Sequence, residues 1–180
     1  MHVGVITFNN DAVITNGGLQ PITEFQPPQL VASGVTRLDL AFELLRESMD
    51  RDVVRPVRGG QRGDYKPIVF VLTDGNPTDA QGYFNDSLWG PARESVVNRP
   101  RGALKPSVVV AVGCGPDVKD ETLKAISTGT AFRMGTDRAA FVALFQWLSQ
   151  SIVSSVQPGA SPDQGPLAPV DPSSDLLVIP

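Results

Sequence analysis

Pro67-Ile68-Val69-Phe70-Val71-Leu72, followed at once by Thr73-Asp74-Gly75-Asn76-Pro77-Thr78-Asp79, is the stretch on which the fold turns. Its first six residues carry no charge and no alternation of polar with apolar side chains. A strand with one wet face alternates with period two, so an unbroken apolar run suits a strand covered on both faces, as in a parallel sheet. Residues 107–112 (SVVVAV) repeat the pattern. Between and around these runs the period changes to that of a helix. Over residues 37–51, Leu38, Ala41, Phe42, Leu45 and Met49 recur at helical spacing, with Leu40 and Leu44 widening the face. Residues 119–127 read as a helix behind Asp117, and residues 131–134 as a short edge strand. Residues 138–156 read as a helix capped by Asp137, with Phe141, Leu144, Phe145, Leu148 and Ile152 on one side. Near the start, residues 3–8 and 12–15 are strand-like runs separated by Asn9-Asn10-Asp11, which predicts a hairpin. Strands alternating with helices point to an α/β fold with a doubly wound, mostly parallel sheet.

Composition limits what such a domain does. The 180 residues are 41% hydrophobic and 19% charged, enough apolar material for one ordinary core. Fifteen basic against 19 acidic residues give a net charge of −4, which argues against nucleic acid as a partner. One cysteine, Cys114, excludes an internal disulfide framework, and one histidine, His2, leaves no basis for histidine-centred catalysis or zinc binding. No apolar run reaches the length of a membrane span and no leader pattern is visible, so a cytoplasmic protein with no membrane partner is expected. Residues 157–180 contain six prolines and three aspartates and no lysine or arginine. This composition predicts a flexible tail after a domain of residues 1–156, with Leu176-Leu177-Val178-Ile179 as a solvated end.

In an open parallel sheet, ligands gather beyond the carboxyl ends of the strands. Asp74 is delivered there by the first apolar run, and Gly75 turns the chain immediately after it. A carboxylate in that position either closes a turn through backbone amides or offers an oxygen to a hard cation such as Mg²⁺. Thr36, after Ser33-Gly34-Val35 and before the first long helix, has two similar readings. It is placed to cap the helix, with Asp39 three residues on, and also to bring a hydroxyl to the same rim.

These residues resemble those of von Willebrand factor A domains, and most closely the bacterial tellurium-resistance TerY-type class. The resemblance rests on Val5-Ile6-Thr7-Phe8, on residues 25–30 (FQPPQL) leading to Ser33-Gly34-Val35-Thr36, and on residues 67–79 (PIVFVLTDGNPTD). Residues 109–113 and 145–152 add to it. It covers residues 2–156 and implies a doubly wound sheet bearing a Mg²⁺ adhesion site. By the family pattern that site consists of an Asp-x-Ser-x-Ser loop, a threonine and an aspartate opening an Asp-Gly turn. Thr36 and Asp74 match the last two, and Ser33, Gly34, Gly75, Asn76 and Asp79 would line a rim for a protein partner whose carboxylate completes the metal. The resemblance further implies a place in stress or metal-resistance complexes.

The departures are as informative. The family's first strand, its Asp-x-Ser-x-Ser loop and its first helix would precede Val3, so Met1 is expected to be an internal methionine of a longer protein. The nearest substitute, Asp171-Pro172-Ser173-Ser174-Asp175, follows no strand and is set aside. Two ligands alone predict weak or absent Mg²⁺ binding. The absent strand is central in the family, so its loss predicts either two bare strand edges or direct pairing of their owners.

The expectation is therefore a non-enzymatic protein-interaction module with no small-molecule substrate. Its alternatives are a Mg²⁺-dependent phosphohydrolase using Asp74 and Asp79, or a metal-free degenerate binding domain. Lys66 lies at the wrong end of its strand to grip a phosphate. Cys114 reads as a small buried side chain, and Tyr83 and Trp89 as cover for a sheet face. Gly113-x-Gly115 lacks the third glycine of a dinucleotide fingerprint. Arg55, Arg58 and Arg62 belong to a solvated, glycine-containing loop.

Overall fold

A computed structural model of the chain describes residues 1–54, 63–156, 167–171 and 176–180. The loop with Arg55, Arg58 and Arg62, and tail residues 157–166 and 172–175, lie outside the described residues. The chain divides into two compact units, one of Met1–Pro67 with Pro77–Pro106, the other of Ile68–Asn76 with Ser107–Pro180.

The first unit begins with short strands. β1 (His2–Val3) pairs antiparallel with β4 (Gln20–Pro21), and β2 (Ile6–Phe8) with β3 (Ala12–Ile14), in the register Ile6↔Ile14, Thr7↔Val13, Phe8↔Ala12. The second pair is the expected hairpin. Its turn is closed by Asn9 and Asp11, whose side chains accept bonds from the amides of Asp11 and Ala12 at 3.2 and 2.8 Å. The run at residues 3–8 is not one strand, however, because it breaks at Gly4-Val5 between β1 and β2. Helix α1 (Leu38–Asp52) buries Leu38, Ala41, Phe42 and Met49, the face predicted by periodicity, and packs against the hairpin and α2 (Asp86–Val97). No helical periodicity in the sequence announces α2. It contains Pro91, which removes one backbone donor, but Asn85 caps it by accepting from the Ser87 amide at 3.1 Å. Buried Trp89, Ala92 and Val96 form its inner face.

The second unit is built on a four-stranded sheet of order β5-β6-β7-β8. β5 (Ile68–Thr73), β6 (Val108–Cys114) and β7 (Ala131–Met134) are parallel, and β8 (Leu176–Ile179) runs antiparallel to β7. α3 (Asp120–Ile126) joins β6 to β7, and α4 (Arg138–Val156) follows β7 with the Ala140 amide donating to Asp137 Oδ1 at 3.0 Å, the cap expected from sequence. β6 is buried on both faces, as its unbroken run requires. Val108, Val110 and Val112 share a core with Phe132, Met134, Ala140, Leu144, Trp147 and Leu176. On the opposite face there is no room at Gly113 for a side chain, because a Cβ would lie 2.5 Å from Leu123 Cδ1 and 2.7 Å from Val118 Cγ1. α4 thus covers one side of β6 and α3 the other.

Two expectations are corrected at β7 and β8. The strand at residues 131–134 is not an edge, because β8 pairs with it: Ala131↔Ile179, Phe132↔Val178, Arg133↔Leu177, Met134↔Leu176. The run Leu176-Leu177-Val178-Ile179 is therefore not a solvated end. Leu176 and Ile179 are buried, while Leu177 and Val178 face water. Proline content misjudges the run at residues 176–179. Four β-prone apolar residues gain a full ladder on an otherwise bare strand, which offsets their ordering entropy. Upstream, Leu167 and Val170 pack on the same core, and Trp147 Nε1 donates to the Ala168 carbonyl at 2.9 Å.

Among the described residues, β2 pairs only with β3 and β5 only with β6. No helix among them is long and apolar enough to cross a membrane.

Candidate functional site

The predicted site residues fall in both units. Ser33, Gly34, Thr36 and Asp79 belong to the first, and Asp74, Gly75 and Asn76 to the second.

In the first unit the segment before α1 is held by specific bonds. Gly34 has φ of +81°, and a Cβ there would run into the Asn10 side chain, whose Oδ1 accepts from the Val35 amide at 2.9 Å. Glycine is thus required by both conformation and space. Thr36 is tied through its backbone, its amide donating to Thr78 Oγ1 at 3.0 Å and its carbonyl accepting from the Thr78 amide at 2.9 Å. The expected capping role is corrected: Arg37 is the N-cap, and no side chain bonds the first turn from that position. Among the described residues the Thr36 hydroxyl makes no hydrogen bond. Ser33 is exposed.

Asp39, expected to complete a capping box with Thr36, instead receives the Arg37 guanidinium, with Nη2 2.7 Å from Oδ2. Burial works against its charge, but the Arg37 bond and the Leu40 amide outweigh burial, and the carboxyl pKa is lowered. A lowered acid stabilises the fold above its unfolded pKa of about 4 and loses that contribution as pH falls through its folded value. Urea unfolding of the wild type and Asp39→Asn should therefore differ at pH 6 and converge toward pH 2, and a gap unchanged by pH would disprove the ion pair's role.

Asp79 closes its own turn. Its Oδ1 accepts from the amides of Gln81 and Tyr83, both at 2.9 Å, and its amide donates to the Tyr83 carbonyl. Tyr83 is 73% exposed, so the expectation that it covers a sheet face is corrected. Trp89 is buried on α2, where its Nε1 donates to Asp86 Oδ1 at 2.8 Å.

In the second unit, Asp74 directly follows β5 and is exposed. The turn below it is secured by its neighbour: Thr73 Oγ1 donates to the Gly75 carbonyl at 2.8 Å. Asn76 spends both ends of its amide on the segment before α3, Nδ2 donating to the Asp117 carbonyl at 2.9 Å and Oδ1 accepting from the Lys119 amide at 3.0 Å. Asn76 is therefore a brace for the loop that carries Asp74. The Asp74 carboxylate makes no hydrogen bond or ion pair with any described residue. Cys114, at the end of β6, is half-buried against the core. Burial, and after it the charge of Asp74, push its thiol pKa up, so it is a poor thiolate.

Hydroxyl and carboxylate oxygens are the donors that Mg²⁺ prefers. Thr36 Oγ1 and the Asp74 carboxylate are both uncommitted to protein partners, so their chemistry fits that ion. Among the described residues, no group of three or more His, Cys, Asp or Glu is gathered as a metal ion would need. The signal that could have shown the true role of Asp79 lay in the sequence, since an aspartate two residues before a Gln-Gly pair is a common turn former. No family model matches the chain, and no curated protein matches it.

Proposed function

We propose that the chain is a non-enzymatic protein-interaction module of von Willebrand A type, doubly wound, in which Asp74 supplies a protein ligand of a partial Mg²⁺ site. The observation that carries the reading is the state of Asp74. It is an exposed carboxylate at the carboxyl end of a parallel strand, on a turn braced by Thr73 and Asn76, with its own oxygens unused. Bracing the loop while leaving the carboxylate free suits a ligand for something outside the chain. The parallel order of β5, β6 and β7, with α3 and α4 on opposite sides of β6, supports the doubly wound reading.

In this reading Mg²⁺ supplies positive charge for a partner's carboxylate, and water fills the coordination positions that the protein leaves. The partner is a protein with an exposed acidic side chain. Its setting is a cytoplasmic stress or metal-resistance complex of the bacterial tellurium-resistance type. The free Asp74 carboxylate also suits the phosphohydrolase reading, in which Asp79, its Oδ1 held by the Gln81 and Tyr83 amides, would act through its other oxygen.

Calorimetric titration with Mg²⁺ or Mn²⁺ should show weak binding, with a dissociation constant on the order of 10⁻³ M. Asp74→Ala should abolish the heat. Binding in the micromolar range or tighter, or heat that survives Asp74→Ala, would overturn the partial-site reading. Asp74-dependent hydrolysis of p-nitrophenyl phosphate would replace the module by the enzyme.

A further inference from the structure

The brace on the Asp74 turn is only as firm as the segment it grips. Asn76 bonds residues 117 and 119, which lie between β6 and α3 in a stretch with neither helix nor strand. What fixes that stretch is Arg133, the one charged residue of β7, set between buried Phe132 and Met134. Its Nη1 donates to the Gly115 carbonyl at 2.5 Å and its Nη2 to the Val118 carbonyl at 2.6 Å. Its Nε donates to Asp120 Oδ1 at 3.0 Å, at the start of α3, and Nη2 also reaches that oxygen. The Gly115 amide adds a bond to the Met134 carbonyl at 3.1 Å.

The two side chains alternate along the stretch. Arg133 holds residues 115 and 118, and Asn76 holds residues 117 and 119. Residues 115–119 are therefore a link with β7 on one side and the Asp74 turn on the other. A guanidinium suits the β7 end of this link, because its planar fork serves acceptors in different directions, where an ammonium offers a single point. Bonds from a charged donor are also stronger than those between neutral groups. The Arg133 side chain is 26% exposed, so its bonds are largely shielded from competing water, and removing the guanidinium takes that donor from two carbonyls at once.

We infer that Arg133 is the positioning residue of the Asp74 turn: it fixes residues 115–119, and Asn76 carries that restraint to the loop on which the carboxylate stands. The inference rests on the proposed Mg²⁺ role of Asp74 for its use, and it goes beyond that role in assigning the residue that sets the ligand's place.

Hydrogen exchange and Mn²⁺ binding, both on the full chain, test it. The Lys119 amide, bonded to Asn76 Oδ1, reads the link, and the Gly75 amide, 3.4 Å from Thr73 Oγ1, reads the turn. Arg133→Met keeps the aliphatic stem and should speed exchange at Lys119 about tenfold, and at Gly75 as well. Both rates are taken relative to the β6 amides of Val110 and Val112, which report any general loss of stability. Asn76→Ala should speed exchange at Gly75 by itself. Adding Arg133→Met to it should bring no further change there, because the two residues act in series. Mn²⁺ binding, read by water-proton relaxation, should weaken about fivefold or more in each single variant and no further in the double. Unchanged Lys119 exchange in Arg133→Met overturns the inference, as do effects of the two substitutions that add in full, or a Gly75 rate that moves only in step with β6. A wild type that binds no Mn²⁺, with the coupling of Lys119 and Gly75 intact, sinks the Mg²⁺ reading and leaves Arg133 as the residue that holds the turn. Mn²⁺ binding that is lost in Asp74→Ala but indifferent to Arg133→Met does the reverse.

Discussion

Replacing Trp147 by alanine should cost the second unit about 3–5 kcal/mol, the range for truncating a large buried aromatic side chain. Trp147 is 5% exposed and sits where three parts of the unit meet. From α4, its ring meets Phe132 of β7 edge-on with centroids 4.6 Å apart, and Phe70 of β5 at 6.2 Å. Its indole N–H reaches the Ala168 carbonyl on the segment that leads to β8. Alanine removes the ring contacts and leaves that carbonyl without its donor, so a cavity penalty and a hydrogen-bond loss fall on one site. Trp147→Phe keeps much of the ring contact and loses the donor, and should cost about 1–2 kcal/mol. Urea unfolding followed by far-ultraviolet circular dichroism gives both values. If alanine cost no more than phenylalanine, the ring would not be the packing element described.

The second large effect is expected at Leu176. Leu176→Asp places a carboxylate at a position 3% exposed, within the core shared by β6, β7 and α4, and should destabilise the unit by about 3 kcal/mol or more. The neighbouring Leu177 is 63% exposed. Leu177→Asp adds the same charge one residue away and should change stability by no more than about 0.5 kcal/mol. The contrast between adjacent positions is the test, read from unfolding curves of the two variants. Equal and small effects would mean that β8 is not docked on β7.

What the sequence discloses about this chain depends on the range of the interactions involved. The double-sided burial of β6 and the inner face of α1 follow from periodicity, because burial on two sides or on one imposes its own repeat on the side chains. Asp137 shows itself as a cap because capping is local. α2 escapes because its inner face, Trp89, Ala92 and Val96, flanks Gly90-Pro91, and the tertiary contact with α1 outweighs the weak local preference. β8 escapes because its ladder partner lies beyond α4 and the proline-rich linker. At the candidate site, Asp74 is placed by the apolar run before it, a local signal. The commitment of Asn76 to Asp117 and Lys119 spans some forty residues of chain, and spacing alone cannot reveal it.

The joint between β7 and β8 also bears on the order in which the unit assembles. Pairing β5 to β6 and β6 to β7 encloses the loops and helices that lie between those strands. Seating β8 must in addition gather the whole of α4 and the linker, a closure of roughly forty residues whose entropy is repaid only when four residues find their register. Contacts of that separation form slowly. Until they form, the outer edge of β7 stays open. The pairing of β5 with β6 spans a comparable stretch of chain, so both joints are long-range steps in the assembly of this unit.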